Sequence, residues 1–385
     1  MKPPWPTKKL GEVCELVRGS EPGSESYFDK MNEERIRFIR VGDISGKVDQ
    51  PKFVYKNLAN LIIVNPDEIL ISFDGTPGIV TKGWSGAIAS GIRVIRNIKP
   101  EILKEFLFYY LQTSEPQKVI KFYTTGVTIL HASRAIPHIK IPLPPLKVQQ
   151  KIVERLGAIK KAQELNDKQI ELAEELFKSL LHCELDPKGK NWEVKKLIEV
   201  CEINPKTVLN KKIDKVRYVE MTAIDENLKT IKYYLDRSIN KVSSGAPKFT
   251  NNDIIFARIT PCTENGKIAL VDNCKDICAG STELHVLRPK KDKILPHFLF
   301  YFIITPKIRN IAVASMIGST GRQRVPAEFF HYLKIPLPPL ETQQKIVEKL
   351  SAVQEYKKKL LNQKQKLQEL FESVLNKSFK GEWVG

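Results

Sequence analysis

The stretch IPLPPLKVQQKIVERL at residues 141–156 returns almost verbatim as IPLPPLETQQKIVEKL at 335–350, a shift of 194 residues. A phrase written twice at that distance marks a duplication larger than a solenoid unit. The openings of the two halves agree as well. WPTKKLGEVCEL (5–16) matches WEVKKLIEVCEI (192–203) at a shift of 187, placing Trp5 with Trp192, Leu10 with Leu197 and Cys14 with Cys201. Fainter echoes lie between: FIRVGDI (38–44) with YVEMTAI (218–224), EILIS (68–72) with DIIFA (253–257), and FLFYYLQT (106–113) with FLFYFIIT (298–305). Their shifts of 180, 185 and 192 mean insertions and deletions within a shared frame. Each half therefore reads as a globular segment, then IPLPPL, then a long charged segment.

Proline cannot continue a helix backwards, so the prolines form a rigid extended lead-in and a helix begins near Lys147 and near Glu341. In the first segment Ile152, Leu156, Ile159, Gln163, Asn166, Ile170, Ala173, Phe177 and Leu180 alternate spacings of 4 and 3. In the second, Ile346, Leu350, Val353, Lys357, Leu360, Lys364, Leu367, Phe371 and Val374 repeat the pattern at a constant shift of 194. That is an a/d seam, and it predicts continuous helices of roughly 35 residues, about 50 Å long. Two matched seams bury each other, and chain order makes the pair antiparallel. The fold class expected is α+β: two similar mixed α/β domains at 1–145 and 184–339, separated by a long antiparallel two-helix coiled coil (146–183 and 340–379). A tail of 380–385 and an approximate twofold, dumb-bell arrangement complete the expectation. Within the globular segments EILISF, IRVIRNI, DIIFARI and LHVLRP read as strands, and EFLFYYLQT and HFLFYFIIT as short buried helices.

The 385 residues hold 62 Lys+Arg against 44 Asp+Glu, a net charge of +18. Such a balance favours a polyanionic partner. Residues 1–145 carry +5 and 184–339 carry +9, so the surplus sits mostly in the globular halves. No apolar run approaches the roughly 20 residues of a membrane helix. The opening MKPPWPTKKLGEV does not read as a signal peptide, and a cytoplasmic location is expected. Cys262, Cys274 and Cys278 lie near His285, but the CxxC pairs of common zinc modules are missing; inert thiols in a reducing compartment, and no metal site, are expected.

Catalytic motifs are missing. TENGKIA (263–269) has the GK of a phosphate loop without the rest, no GxGxxG follows a strand, and LPPL lacks the Asn, Asp or Ser that precedes the proline pair of an amino-methyltransferase. A two-metal nuclease needs clustered carboxylates, whereas Asp67-Glu68 and Asp225-Glu226 read as solvated turns. No histidine has a recognisable nucleophile partner, so no independent catalytic centre is expected.

Loops that set Arg or Lys among Gly, Ser and Thr suit close approach to phosphates and base edges. In the first half these are ISFDGTPGIVTKG (71–83), SGIRVIR (90–96) and TTGVTILHASR (124–134), offering Thr76, Lys82, Arg93, Thr125 and Arg134. In the second they are FARITPCTENGK (256–267), AGSTE (279–283) and GSTGRQR (318–324), offering Arg258, Thr260 and Lys267. Arg322, Gln323 and Arg324 are the expected base readers there, since Arg pairs with guanine and Gln with adenine.

The doubled IPLPPL…QQKIVE, each copy leading into a long helix, together with the doubled W..KKL.EVCE, resembles the specificity subunit of type I restriction–modification enzymes over essentially the whole chain. GTPG (75–78) fits the family's glycine loop and TPCTENG (260–266) departs from it. The resemblance implies two target-recognition domains, each reading one half of a bipartite asymmetric double-stranded DNA target, with the helices as spacer. It also implies two modification subunits that use S-adenosylmethionine, and restriction subunits that use ATP and Mg; cofactors and catalysis would belong to those partners, none to this chain. The alternatives are a protein-interaction scaffold with incidental charge, or a self-sufficient DNA methyltransferase or nuclease.

Overall fold

A computed structural model of the chain describes residues 5–47, 50–208, 214–319 and 321–382. The chain divides into two compact units, Met1–Lys168 with Asn362–Gly385, and Gln169–Leu361. Each unit thus owns the start of one long helix and the end of the other.

The two repeated phrases are the two ends of one clasp. In unit 1 the strand Thr7–Lys9 runs antiparallel to Lys140–Pro142, with Thr7 opposite Pro142. In unit 2 Glu193–Lys196 pairs with Lys334–Leu337, with Val194 opposite Pro336. Equivalent residues meet although the shifts are 187 at one end and 194 at the other, so the frame survived the length changes between them. The turn that follows is built alike. Glu12 accepts from the backbone N–H of Lys9 at 2.6 Å and Glu199 from that of Lys196 at 2.7 Å, satisfying an amide at each short helix start.

Each unit then holds two four-stranded sheets. Unit 1 orders Glu15–Arg18, Ile92–Arg96, Ile69–Ser72 and Val80–Thr81; unit 2 orders Cys201–Ile203, Leu284–Pro289, Ile254–Ala257 and Ile268–Leu270. The central strands ILIS and IIFA are buried at every position, which is why they lack polar alternation. The second sheets, around Arg35–Ile39 and Lys215–Val219, each include one parallel pairing, Phe38 with Ala87 and Tyr218 with Ala279. The apolar runs FLFYY and FLFYF form the helices Lys104–Leu111 and Pro296–Ile303. Phe106 and Phe298 are 0% and 1% exposed and pack with Ile152 and Leu156, or Ile346 and Leu350, of the long helix in the same unit. Truncating such a side chain costs about 3–5 kcal/mol.

The first glutamine of each QQ explains the rest of the repeated phrase. Gln149 is 0% exposed; its Oε1 accepts from the N–H of Leu103 (2.8 Å), and its Nε2 donates to Glu101 O and Pro144 O (both 2.9 Å). Gln343, also 0% exposed, accepts from Leu295 N–H (2.8 Å) and donates to Pro338 O (2.9 Å) and Lys293 O (3.4 Å). One buried amide so bolts the proline lead-in to the start of the FLFYY or FLFYF helix. The same seat fixes the helix start, since Gln149 and Gln343 N–H donate to Pro145 O and Pro339 O.

The long helices run Leu146–Leu185 and Leu340–Ser378, 40 and 39 residues, about 60 Å each. They exceed the expected 35 because their last turns stay buried. Leu181 and Leu185 enter the core of unit 2, and Val374 and Leu375, with Phe379 just past the helix end, that of unit 1. Within unit 1 the helices pair antiparallel through Gln163 and Gln368 (3.2 Å) and through Asp167 and Lys364 (2.9 Å). Within unit 2 they do so through Glu174 and Lys357 (3.5 Å) and Glu184 and Lys349 (2.6 Å). The seam residues Ile152, Leu156, Ile346, Leu350 and Leu360 are buried, and Ile159, Ile170, Phe177, Val353 and Phe371 half-buried. Lys364 departs from the expected seam: its charged end lies outside, reaching Asp167.

Two further expectations are corrected. Glu68 is no solvated turn residue; its side chain is 17% exposed, pairs with Arg96 at 2.8 Å and accepts from Asn65 N–H. Asp253 does the same for Arg288 (2.6 Å) and Thr250 N–H. Cys274 and Cys278 are not separate thiols but joined in a disulfide, with Cα atoms 6.0 Å apart. Cys14 is buried, which pushes its thiol up to about 12.

Candidate nucleic-acid interface

In unit 1 the three loop segments singled out above converge at the ends of Ile69–Ser72 and Ile92–Arg96. Asp74–Gly75 pairs with Leu130–His131, and Thr125 bridges to His131, so residues 125–131 form a small hairpin standing on the 74–75 strand. Asp74 holds its base. Its carboxylate accepts from His131 Nδ1 at 2.8 Å and lies 3.9 Å from Arg93 and 4.0 Å from Arg18. Arg93 is 5% exposed and donates to Ser90 O (2.6 Å) and Ser133 Oγ (3.0 Å), tying the second and third segments together. Burial lowers its guanidinium pKa. Thr76 is half-buried and accepts weakly from Lys47 Nζ at 3.4 Å. Lys82 is engaged internally, 2.5 and 2.7 Å from the Glu105 carboxylate and over the Phe108 ring. Thr125 and Arg134 are exposed, and Arg134 makes no ion pair among the described residues.

Unit 2 builds the same node with different residues. Glu283, before the strand Leu284–Pro289, receives Arg324 through two bonds of 2.9 and 2.7 Å and Arg258 through one of 3.3 Å. The Arg324 and Arg258 guanidiniums hold the Glu283 carboxyl below the usual carboxylate range. Arg324 bridges to both Ile259 and Ile317, so Ile317 and Arg324 lean on the 258–260 segment as the unit 1 hairpin leans on 74–75. Thr260 donates to Glu264 (2.9 Å) and Lys267 to Met221 O (2.9 Å). Arg322 is exposed with no side-chain partner among the described residues, and Gln323 is half-buried beside it.

The sequence pattern of cations picks out segments that the fold brings together, but it misses the acids that organise them, Asp74 and Glu283. The signal was a lone carboxylate between Gly, Ser and Thr in each basic half, in FDGTPG and GSTE. His285 occupies in its strand the place of Arg93, each opposite the third residue of the neighbouring strand, Phe256 and Ile71. It is 1% exposed; its Nε2 donates to Val325 O (2.8 Å), which leaves Nδ1 to accept from Asn204 (3.0 Å), and burial lowers its pKa from 6.5. Among the described residues no group of His, Cys, Asp and Glu is arranged to hold a metal ion, and no helix is long and apolar enough to cross a membrane.

The chain is similar to known proteins along its whole length. The EcoAI type I restriction enzyme specificity subunit of Escherichia coli is 35% identical over 157 residues, 40% of this chain but 27% of that relative's length. The MjaVIII specificity subunit of Methanocaldococcus jannaschii is 26% identical over 414 residues, covering 97% of this chain and 91% of the relative. The crystal structure of a type I restriction–modification S subunit from M. genitalium shares the fold, with a TM-score of 0.61 over 98% of this chain and 96% of that one at 12% identity. The model of the type I restriction modification DNA specificity domain matches twice, at residues 3–175 and 189–370. With its clasp, glutamine bolt and loop node each written twice, the chain belongs to that family, as a specificity subunit with two such domains.

Proposed function

We propose that this chain reads a bipartite DNA target, one half-site per globular domain, residues 1–145 and 184–339. The observation that carries this is the convergence, in each unit, of three loop segments onto one carboxylate, with Arg134 and Arg322 exposed nearby and without an ion pair among the described residues. Exposed Arg134, with Lys47 and Arg18, supplies contacts to phosphates; Arg322 and Gln323 supply paired bonds to base edges. Arg93, Arg258, Arg324, Lys82 and Lys267 act as positioning residues, because their charged ends are engaged within the protein and these side chains are more covered than the exposed Arg134, Lys47 and Arg18. The long helices space the two domains and, with the proline lead-ins, offer the surface on which modification and restriction subunits dock. S-adenosylmethionine, ATP and Mg chemistry belongs to those subunits, and this chain is non-catalytic.

The test is DNA binding by the chain with its modification subunits across a salt series. A reader loses affinity steeply with salt yet keeps its preference for one sequence. Arg322→Ala is expected to cost about 1–3 kcal/mol on the cognate site and to relax one position of one half-site. Equal methylation of random and cognate DNA would remove the proposal.

A further inference from the structure

The hairpin of unit 1 carries an unusual tip. Its base is stitched by two bonds, Thr125 N–H to His131 O at 2.9 Å and His131 N–H to Thr125 O at 2.7 Å. Gly126 has φ +106°, and a Cβ there would lie 2.1 Å from Ile129 O, so the turn is shaped by a residue that only glycine satisfies. On this built hairpin Val127 is 100% exposed and Ile129 58%. Apolar residues scattered singly on a surface need no partner, but these two share one five-residue tip (126–130) with Leu130, itself 37% exposed.

The surroundings select the occupant. Leu130 pairs with Gly75, next to Thr76, where Lys47 arrives; Arg134 follows the hairpin, and the Arg18 side chain is 63% exposed beside Asp74. An apolar tip ringed by cations suits a polyanion that offers a methyl group. In the major groove that is thymine, whose C5 methyl is read by apolar contact. The matching loop of unit 2 carries Arg322 and Gln323 instead.

We propose that Val127 and Ile129 are specificity-determining contacts to a thymine methyl in the half-site read by unit 1. This rests on the DNA-reading function above. The experiment uses the chain bound to its modification subunits and a cognate duplex in which each thymine is replaced in turn by uracil, which removes only the methyl. At least one thymine of one half-site is expected to lose about fourfold in affinity, the worth of burying one carbon. Val127→Ser with Ile129→Ser is expected to abolish that uracil penalty while leaving the preference at the other half-site intact, which also shows that the variant is folded. If the wild-type complex keeps its sequence preference but no thymine responds to uracil, this inference is wrong and the reading function stands. The inference also falls if the penalty survives in the double variant, or if that variant loses modification-subunit binding instead of discrimination. Absence of any sequence preference in the wild type would remove the reading function itself, and this inference with it.

Discussion

The two units agree where the chain is held and differ where it is offered. Gln149 and Gln343 make the same set of buried bonds, and the pairs Glu68 with Arg96 and Asp253 with Arg288 repeat down to the backbone amide each acid accepts from. At the strand ends the charges are redistributed. Unit 1 puts its acid, Asp74, after the strand Ile69–Ser72 and draws Arg93, Arg18 and His131 to it; unit 2 puts Arg258 at that exit and its acid, Glu283, before the neighbouring strand. Both solutions anchor the last loop to the sheet, one through His131 and the other through Arg324. Each frame sets one carboxylate against two arginines in a bonded node, and the tips above it differ, Val127 and Ile129 in one unit and Arg322 and Gln323 in the other. The proposed reading of two different half-sites would use that division.

The strongest way to break this equivalence is at the glutamine bolt. Gln149→Leu and Gln343→Leu each orphan a buried amide N–H and two carbonyls, and each is expected to cost about 3 kcal/mol. Urea unfolding followed by unit-resolved hydrogen exchange checks this; costs differing by more than about 1 kcal/mol would end the claim that the bolts are equivalent.

A smaller effect separates the units by pH. His285 is held neutral by burial, so its folded pKa lies below 6.5, and the stability it contributes is complete above 6.5 and lost as pH falls toward the folded value. Unit 2 is expected to weaken by up to about 1.4 kcal/mol per pH unit below 6.5, whereas Arg93 at the same place in unit 1 does not titrate there. Hydrogen exchange at pH 7.5 and 5.5 measures it, and His285→Gln should flatten the dependence.

Glu283→Gln should release Arg324 and Arg258 at a cost of about 1 kcal/mol, seen as a lower melting temperature and a more protease-sensitive 317–324 loop. The Glu283 carboxyl is also depressed, so its contribution is complete above the ordinary carboxylate range and is lost as pH falls from that range toward the lower folded value. The smallest effect belongs to Arg134→Ala: a few-fold loss of affinity, uniform across sequences, with the slope of log affinity against log salt reduced by about 1.

Much of this was legible in the residues. The doubled IPLPPL and W..KKL phrases gave the duplication, the 4-and-3 spacing gave the helices, and the Gly, Ser and Thr loops with scattered cations gave the segments that converge. The roles inside those loops were not legible. Lys82, Arg93 and Arg324 look as available in the sequence as Arg134 and Arg322, because a side chain's partner is set by residues far along the chain: Glu105 for Lys82, Ser133 for Arg93 and Glu283 for Arg324.

Local pattern, then, determined the elements, their order and their duplication, since proline geometry and helical periodicity act over a few residues. Tertiary structure decided which cations hold the loops and which stay exposed, because only folding brings Asp74 to His131 and Glu283 to Arg324. It also decided that the first glutamine of QQ is a buried bolt, a role that a polar residue takes only where packing removes water and supplies all its hydrogen-bond partners at once.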